Sequence, residues 1–460
     1  MVACRKTLKP NPLWDLVMAV VPLAFFLVTV PAPPVQAIQP LPSQPLTLDG
    51  AVSYGLEHNP ALQATDQEIQ AAEQGIRKAQ ADFLPKLDAG YSSTFMDDAP
   101  YMKIEGNMFQ TSDPNLHRWE AQIIQPLFTG FANTAQYRNA KLQRQLTSHH
   151  RDETRLDLIR SIQRTFFQTL LAEKLLQVQR ETVRQIQDHR QNAEAYYRQG
   201  LTPQNDVLKA DVALADARQK ELNAAKQVRV LRLQLNQLLG LSLPTQLELA
   251  EWDETRDSYQ SQLNVEELFA RAERQRPELL SLDTAILQTE EGKRVAMSRL
   301  YPQAALYGTY YQEGKDFWGT ENDYTNSHNG AVGVKVSLNV FEGGKTYASI
   351  REWRHKRKAI EERRQDVLRQ IYVQLQDAYE QLQVSQANLQ TARVAVEQAK
   401  ENQRMTIAQY QQQVVVFSEV LDAQVFLTQA QANYYQSLYG CRLSWADLER
   451  AVGGSLRQGP

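Results

Sequence analysis

The segment 331–341, AVGVKVSLNVF, places Val332, Val334, Val336, Leu338 and Val340 on one face and Gly333, Lys335, Ser337 and Asn339 on the other. A period of two with one apolar and one polar face predicts a β-strand. Trp119, Ala121, Ile123 and Leu127 repeat the pattern, with Gln125 as an exception. Segments 87–95 and 305–311 alternate more weakly, with Tyr91, Tyr307 and Tyr311 as candidate membrane-interface aromatics. The stretches between, roughly 97–117 and 312–329, are polar and read as loops.

Elsewhere the period is 3.5. No Pro or Gly interrupts the chain between Gly344 and Gly440, and Leu368, Ile371, Leu375, Ala378, Leu382, Ser385, Leu389, Ala392, Val396 and Ala399 follow steps of 3 and 4. Such a seam implies left-handed coiled-coil packing. Leu156, Ile159, Ile162, Phe166 and Leu170 step the same way, as does a seam from Val420 to Leu448. A helix of about 68 residues spans roughly 100 Å, whereas 203–239 covers about 55 Å and 60–84 about 37 Å. Two short helices stacked end to end therefore nearly match one long helix.

The chain is duplicated. Asn59-Pro60-Ala61-Leu62 returns as Arg276-Pro277-Glu278-Leu279, an offset of 217. Residues 126–130 return at 339–343, and 197–210 at 410–423, an offset of 213. The expected organisation is a first repeat at 47–240, an inter-repeat linker at 241–263, a second repeat at 264–450 and a tail at 451–460. The first repeat holds strands at about 86–96 and 117–128, a long helix at about 131–199 and a helix at about 203–239. The second holds strands at about 303–312 and 330–341, a long helix at about 344–412 and a helix at about 416–450. A repeat of this length is a duplicated domain rather than a solenoid unit.

Composition narrows the class. Among 460 residues, 50 Lys+Arg against 53 Asp+Glu give a net charge of -3, so no nucleic-acid footprint is expected. A mean hydropathy of -0.50 excludes a multi-pass helical membrane protein. A membrane β-barrel, whose strands are half apolar, stays open. Four strands of about ten residues are long enough to cross a bilayer at a tilt. They are too few to close a barrel, and an open edge in lipid is forbidden. Copies of the chain must combine, and three give twelve strands.

Arg5, Lys6 and Lys9, an apolar run from Leu16 to Val30 and Val35-Gln36-Ala37 read as a signal peptide at 1–37, cleaved after Ala37. An uncleaved membrane anchor is the other reading. Residues 38–46 are a Pro-rich lead-in. Cleavage leaves Cys441 alone, so no internal disulfide is expected.

These features, in order and twice, resemble the TolC-like outer-membrane efflux protein family. The resemblance covers essentially all of 46–450. Its motifs are the Asn-Pro-Ala-Leu opening, the strand exits Gln125-Pro126-Leu127-Phe128-x-Gly130 and Asn339-Val340-Phe341-Glu342-Gly343-Gly344, and the helix turns near Tyr197 and Tyr410. It implies a mainly α fold with a transmembrane β-barrel: a homotrimer with twelve strands, four per chain, on a long coiled-coil α-helical barrel. It further implies an outer-membrane location extending into the periplasm, and export with a periplasmic adaptor and an inner-membrane efflux pump or ABC transporter.

The resemblance also assigns residues. Glu419 and Asp422, three apart and so on one helical face, match acids that ring the pore constriction. Asp206 and Tyr410 match a hydrogen-bonded pair that closes the tip. The arginine that usually joins them is replaced by Val415, and the run Val414 to Phe417 either closes the tip by apolar contact or simply packs it. Gly200, Leu201 and Thr202 match the adaptor-docking turn, with Gln413 where the second turn usually has Gly. Gly200 reads equally as a helix C-cap.

No catalytic constellation, cofactor site or metal site is expected. His149 and His150 are adjacent and point to different faces, whereas zinc pairs on a helix need i, i+4 spacing. The basic cluster 351–364 reads as a solvated helix face, or as a contact for inner-leaflet phosphates if it lies near the barrel. The competing reading of the whole chain is a structural envelope coiled-coil protein without channel activity, against which the four alternating strands argue.

Overall fold

The computed structural model describes residues 45–252 and 263–456. The expected signal peptide at 1–37, most of the lead-in, part of the linker and the last four residues lie outside the described residues. The first half runs α1 (Leu48–His58), α2 (Pro60–Ala81), β1 (Lys86–Phe95), β2 (Tyr101–Ile104), β3 (Asn107–Gln110), β4 (Asn115–Phe128), α3 (Ala132–Arg198) and α4 (Gln204–Leu239). The second runs α5 (Val265–Gln275), α6 (Pro277–Met297), β5 (Gln303–Gly314), β6 (His328–Ser337), α7 (Lys345–Gln411) and α8 (Phe417–Val452). Helices α1 and α2 map onto α5 and α6 at an offset of 217, and α3 and α4 onto α7 and α8 at 213.

The opening motif ties each half together. The Asn59 side chain accepts from the Ala61 and Leu62 amides at the start of α2, where Pro60 needs no donor partner. Its amide also donates to the Leu238 carbonyl at 2.8 Å, near the end of α4. Arg276 occupies the same place in the second half and donates to the Ala451 carbonyl near the end of α8. Arg276 is buried and also forms a two-pronged pair with Glu278, at 2.8 and 3.2 Å. Arg450 donates to Glu278 and to Asp157, so one carboxylate serves two guanidinium groups. Burial alone would raise the Glu278 pKa, but the hydrogen bonds and charge of Arg276 and Arg450 outweigh it and hold it at about 2.

The main sheet is antiparallel in the order β1-β4-β5-β6. Its register aligns Leu87 with Ile123, Ala121 with Tyr310 and Gly308 with Val332. Side chains alternate, so Leu87, Tyr91, Trp119, Ile123, Leu306, Tyr310, Val332, Val334 and Val336 share one apolar face. Arg118, Glu120, Gln122, Tyr307, Tyr311 and Lys335 share the other. This corrects the expectation for Tyr307 and Tyr311, which lie on the polar face while Tyr91 and Tyr310 lie on the apolar one. The Arg118 guanidinium stacks 4.3 Å from the Tyr311 ring and pairs with Glu313 at 3.4 Å. Tyr307 lies over Gly333, where a Cβ would meet its hydroxyl at 2.7 Å. The weak alternation of β5 hid this register, because aromatics stand at both parities.

Two further differences concern strand ends. The stretch expected as a polar loop at 97–117 contains the β2–β3 hairpin, which exposes Tyr101, Met102, Ile104, Met108 and Phe109. Strand β6 stops at Ser337, four residues before the expected limit, and Leu338, Val340 and Phe341 are exposed beyond it.

The helices form one layer. Helix α3 packs on α2 and α6 toward the sheet and on α4 and α8 away from it, and α7 packs on α6 and α8. The seam residues Ile371, Leu375, Ala378, Leu382, Ser385, Ala392 and Val396 are all buried. Helices α4 and α7 are left at the two outer edges. No described helix is long and apolar enough to cross a membrane.

Candidate functional site at the helix turns

Helices α3 and α7 end in the same backbone turn. At the first, Leu201 N–H donates to the Tyr196 carbonyl at 2.9 Å and Gly200 N–H to the Tyr197 carbonyl at 2.9 Å. At the second, Val414 N–H donates to Gln409 at 2.9 Å and Gln413 N–H to Tyr410 at 2.9 Å. This paired bonding is the Schellman motif, which needs a left-handed residue just past the helix. Gly200 sits there at φ +73° and Gln413 at φ +59°. A side chain at Gly200 meets open space, so the glycine serves conformation rather than packing. Gln413 carries a Cβ in the same conformation at a cost of about 1–2 kcal/mol.

Leu201, Val414 and Gln413 are exposed at the apex, and Thr202 is half-buried, its hydroxyl without a hydrogen-bond partner among the described residues. The four expected docking residues are thus at one end of the molecule.

Beneath the turns lies an apolar knot. Ala193, Ala210, Tyr410, Phe417 and Val420 are buried together, with Tyr196, Val207, Ile407 and Val415 against them. The Tyr410 ring lies 5.9 Å from Tyr196 and 5.5 Å from Phe417. The run Val414 to Phe417 therefore divides: Val415 and Phe417 join the knot, and Val414 and Val416 face outward.

Asp206 is buried in the first turn of α4. It is close enough to Tyr410 to act on it, since burial first and the Asp206 charge second push the phenol up to about 12. No hydrogen bond joins them, because the Tyr410 hydroxyl has no partner among the described residues. The pair implied by the resemblance is thus adjacent but unbonded. Val415 offers no donor to bridge it.

Glu419 stands at the same repeat position as Asp206, 213 residues on, yet it is exposed. Tyr197 is likewise 42% exposed where its counterpart Tyr410 is 8% exposed. The two turns are alike in backbone and unlike in surroundings. Glu419 and Asp422 lie on one exposed face of α8, and neither forms an ion pair among the described residues.

Above the knot, Thr182 of α3 bonds Thr428 of α8 at 3.0 Å, and Gln424 bonds Thr428 and Gln403 of α7. Sequence reading placed Gln424 on the α8 seam but had no signal for this buried polar link.

The chain matches the outer membrane efflux protein family over residues 52–241 and 268–454. It belongs to that family. The two matched segments are the two halves described above. A curated relative is the alkaline protease secretion protein AprF of Pseudomonas aeruginosa, 24% identical over 414 residues, covering 88% of this chain and 84% of AprF. Another is the outer membrane protein TolC of Escherichia coli, 23% identical, covering 86% of this chain and 80% of TolC. The crystal structure of CusC is similar with a TM-score of 0.75 at 16% identity, covering 91% of this chain and 96% of CusC. The outer membrane protein VceC of Vibrio cholerae gives 0.71 at 16%, covering 89% and 97%. Membership of the outer membrane efflux protein family places the chain in the outer membrane and extending into the periplasm. The expected family stands, as does the mainly α fold with a four-stranded sheet. Among the described residues, no cluster of His, Cys, Asp and Glu could hold a metal.

Proposed function

We propose that three copies form a closed twelve-stranded barrel on a helical tunnel. This duct exports cargo received from an inner-membrane pump or ABC transporter through a periplasmic adaptor. One observation carries the reading: a four-stranded sheet with an exposed apolar face and two unpaired edges, β1 and β6. In lipid both edges need partners. Antiparallel addition of a second copy supplies them. The helical layer makes the same demand, because its edge helices keep apolar residues in solvent. Val373, Val384, Val394 and Met405 recur along α7 in steps of 11, 10 and 11, and Leu208, Val212 and Leu222 are exposed on α4. Packing α4 of one copy on α7 of the next would cover both.

The turns form the periplasmic tip in this reading. The apolar knot holds it shut, Glu419 and Asp422 ring its aperture as cation-favouring carboxylates, and Gly200, Leu201, Thr202 and Gln413 meet the adaptor. The assembly is checked by electrophoresis of the mature protein in mild detergent, where unheated samples should run as trimers that heating collapses. A monomer would contradict it. Gly200→Trp should then abolish export while leaving that trimer intact. Normal export by the variant would reduce the turn to a cap.

A further inference from the structure

The helix ends nearest the sheet are basic, and much of that charge has no partner. Arg351, Arg354 and Lys358 are exposed on the first turns of α7 and form no ion pair or hydrogen bond among the described residues. Two neighbouring cations are occupied: Lys356 pairs with Glu352, and Arg357 with Glu361 and Glu290. The first half repeats part of the arrangement. Arg138 corresponds to Arg351 at the offset of 213, and Arg77 and Arg138 are exposed and unpaired among the described residues. Arg351, Arg354 and Arg138 have no acid three or four residues away on their helices, and Lys358 does not pair with Glu362 four residues on. Leaving them open at one level in both halves calls for an external anion.

The level identifies the anion. Helix α7 begins at Lys345, so Arg351 lies about 9 Å and Lys358 about 20 Å along its axis. Immediately before α7, Leu338, Val340 and Phe341 are exposed, continuing the apolar face of β6. Tyr347, 66% exposed, stands between that apolar run and the first arginine. Apolar strand, aromatic and then flexible cations is the order met on crossing from hydrocarbon through the interface to the headgroups.

We infer that Arg351, Arg354 and Lys358, with Arg138 and Arg77, form a basic collar that binds the phosphate groups of inner-leaflet phospholipids. The inference rests on the outer-membrane placement of the chain and not on its conducting anything. The collar fixes the depth of the barrel and couples the base of the tunnel to the membrane surface.

The test is native mass spectrometry of the purified protein in detergent, with added dioleoylphosphatidylglycerol or dioleoylphosphatidylcholine. Wild type should retain the anionic lipid ~5-fold or more over the zwitterionic one, about one surface cation's effect. That preference should shrink in 0.5 M salt by screening. Arg351→Gln/Arg354→Gln/Lys358→Gln should retain the two lipids equally. Equal retention by wild type, or an unchanged preference in the variant, would overturn the collar. So would suppression of lipid retention by millimolar inorganic phosphate, which would mark a site for the free anion. Should the triple variant not assemble, the single Lys358→Gln and the salt series on wild type decide the matter. Channel current in phosphatidylcholine bilayers is read separately, and a collar variant that conducts normally leaves the duct reading untouched.

Discussion

At Gln413 local rules and observed structure diverge. It adopts a left-handed conformation that its counterpart Gly200 reaches freely, and the turn keeps its hydrogen bonds regardless. Gln413→Gly should therefore stabilise the protein by about 0.5–1 kcal/mol, the relieved strain less the added chain entropy. Thermal denaturation checks this, and a loss of stability would mean that the Gln side chain contributes a contact. Glu278 is the opposite case, a carboxylate that serves the buried Arg276 and the half-buried Arg450. Glu278→Gln should cost about 3–5 kcal/mol by leaving the buried Arg276 without its counter-charge, while Arg450 keeps Asp157. The Glu278 carboxylate has its pKa lowered from 4.5 to about 2, so its contribution is present above pH 4.5 and lost as pH falls toward 2. Acid unfolding monitored by circular dichroism should show wild type losing stability in that window and the Gln variant much less. Gln413 is legible in the sequence as a departure from glycine at an expected docking turn but not as a strained position, and Glu278 reads only as part of a repeated tetrapeptide.

At the scale of elements, the long helices were readable because their seams run unbroken by Pro or Gly, and seven of the ten α7 positions named by the 3/4 spacing are buried, the other three half-buried. The β2–β3 hairpin was not readable, since Asp, Asn and Gly around it matched a loop and four-residue strands are too short to show a period. The face that Tyr307 and Tyr311 share was not readable, because alternation alone does not say which parity is apolar across the sheet. Pairing with Glu120 and Gly333 settles it. The apolar knot lies between these cases. Phe417 was named, but its burial depends on α3, α4, α7 and α8 meeting, which no single seam encodes. Phe417 is 0% exposed, so Phe417→Ala should cost about 3–5 kcal/mol of stability. It should also make cells leakier to large antibiotics if the knot shuts the tip. Unchanged uptake together with the lost stability would assign the knot a packing role alone.

For the whole molecule, duplication was the strongest signal, because two copies of one helix–strand–strand–helix order leave few folds to choose from. The four-stranded sheet and the pair of 67-residue helices are what the proposed association rests on, through the cost of open strand edges in lipid and of apolar helix faces in water. The measurement that bears most directly on this account is single-channel current from the mature protein in a planar bilayer. The account predicts discrete, cation-selective steps from a trimer, and reduced cation selectivity in Glu419→Gln/Asp422→Asn. A detergent-stable protein that inserts no current steps would contradict the duct, and steps of identical selectivity in the double variant would remove the carboxylate ring from it.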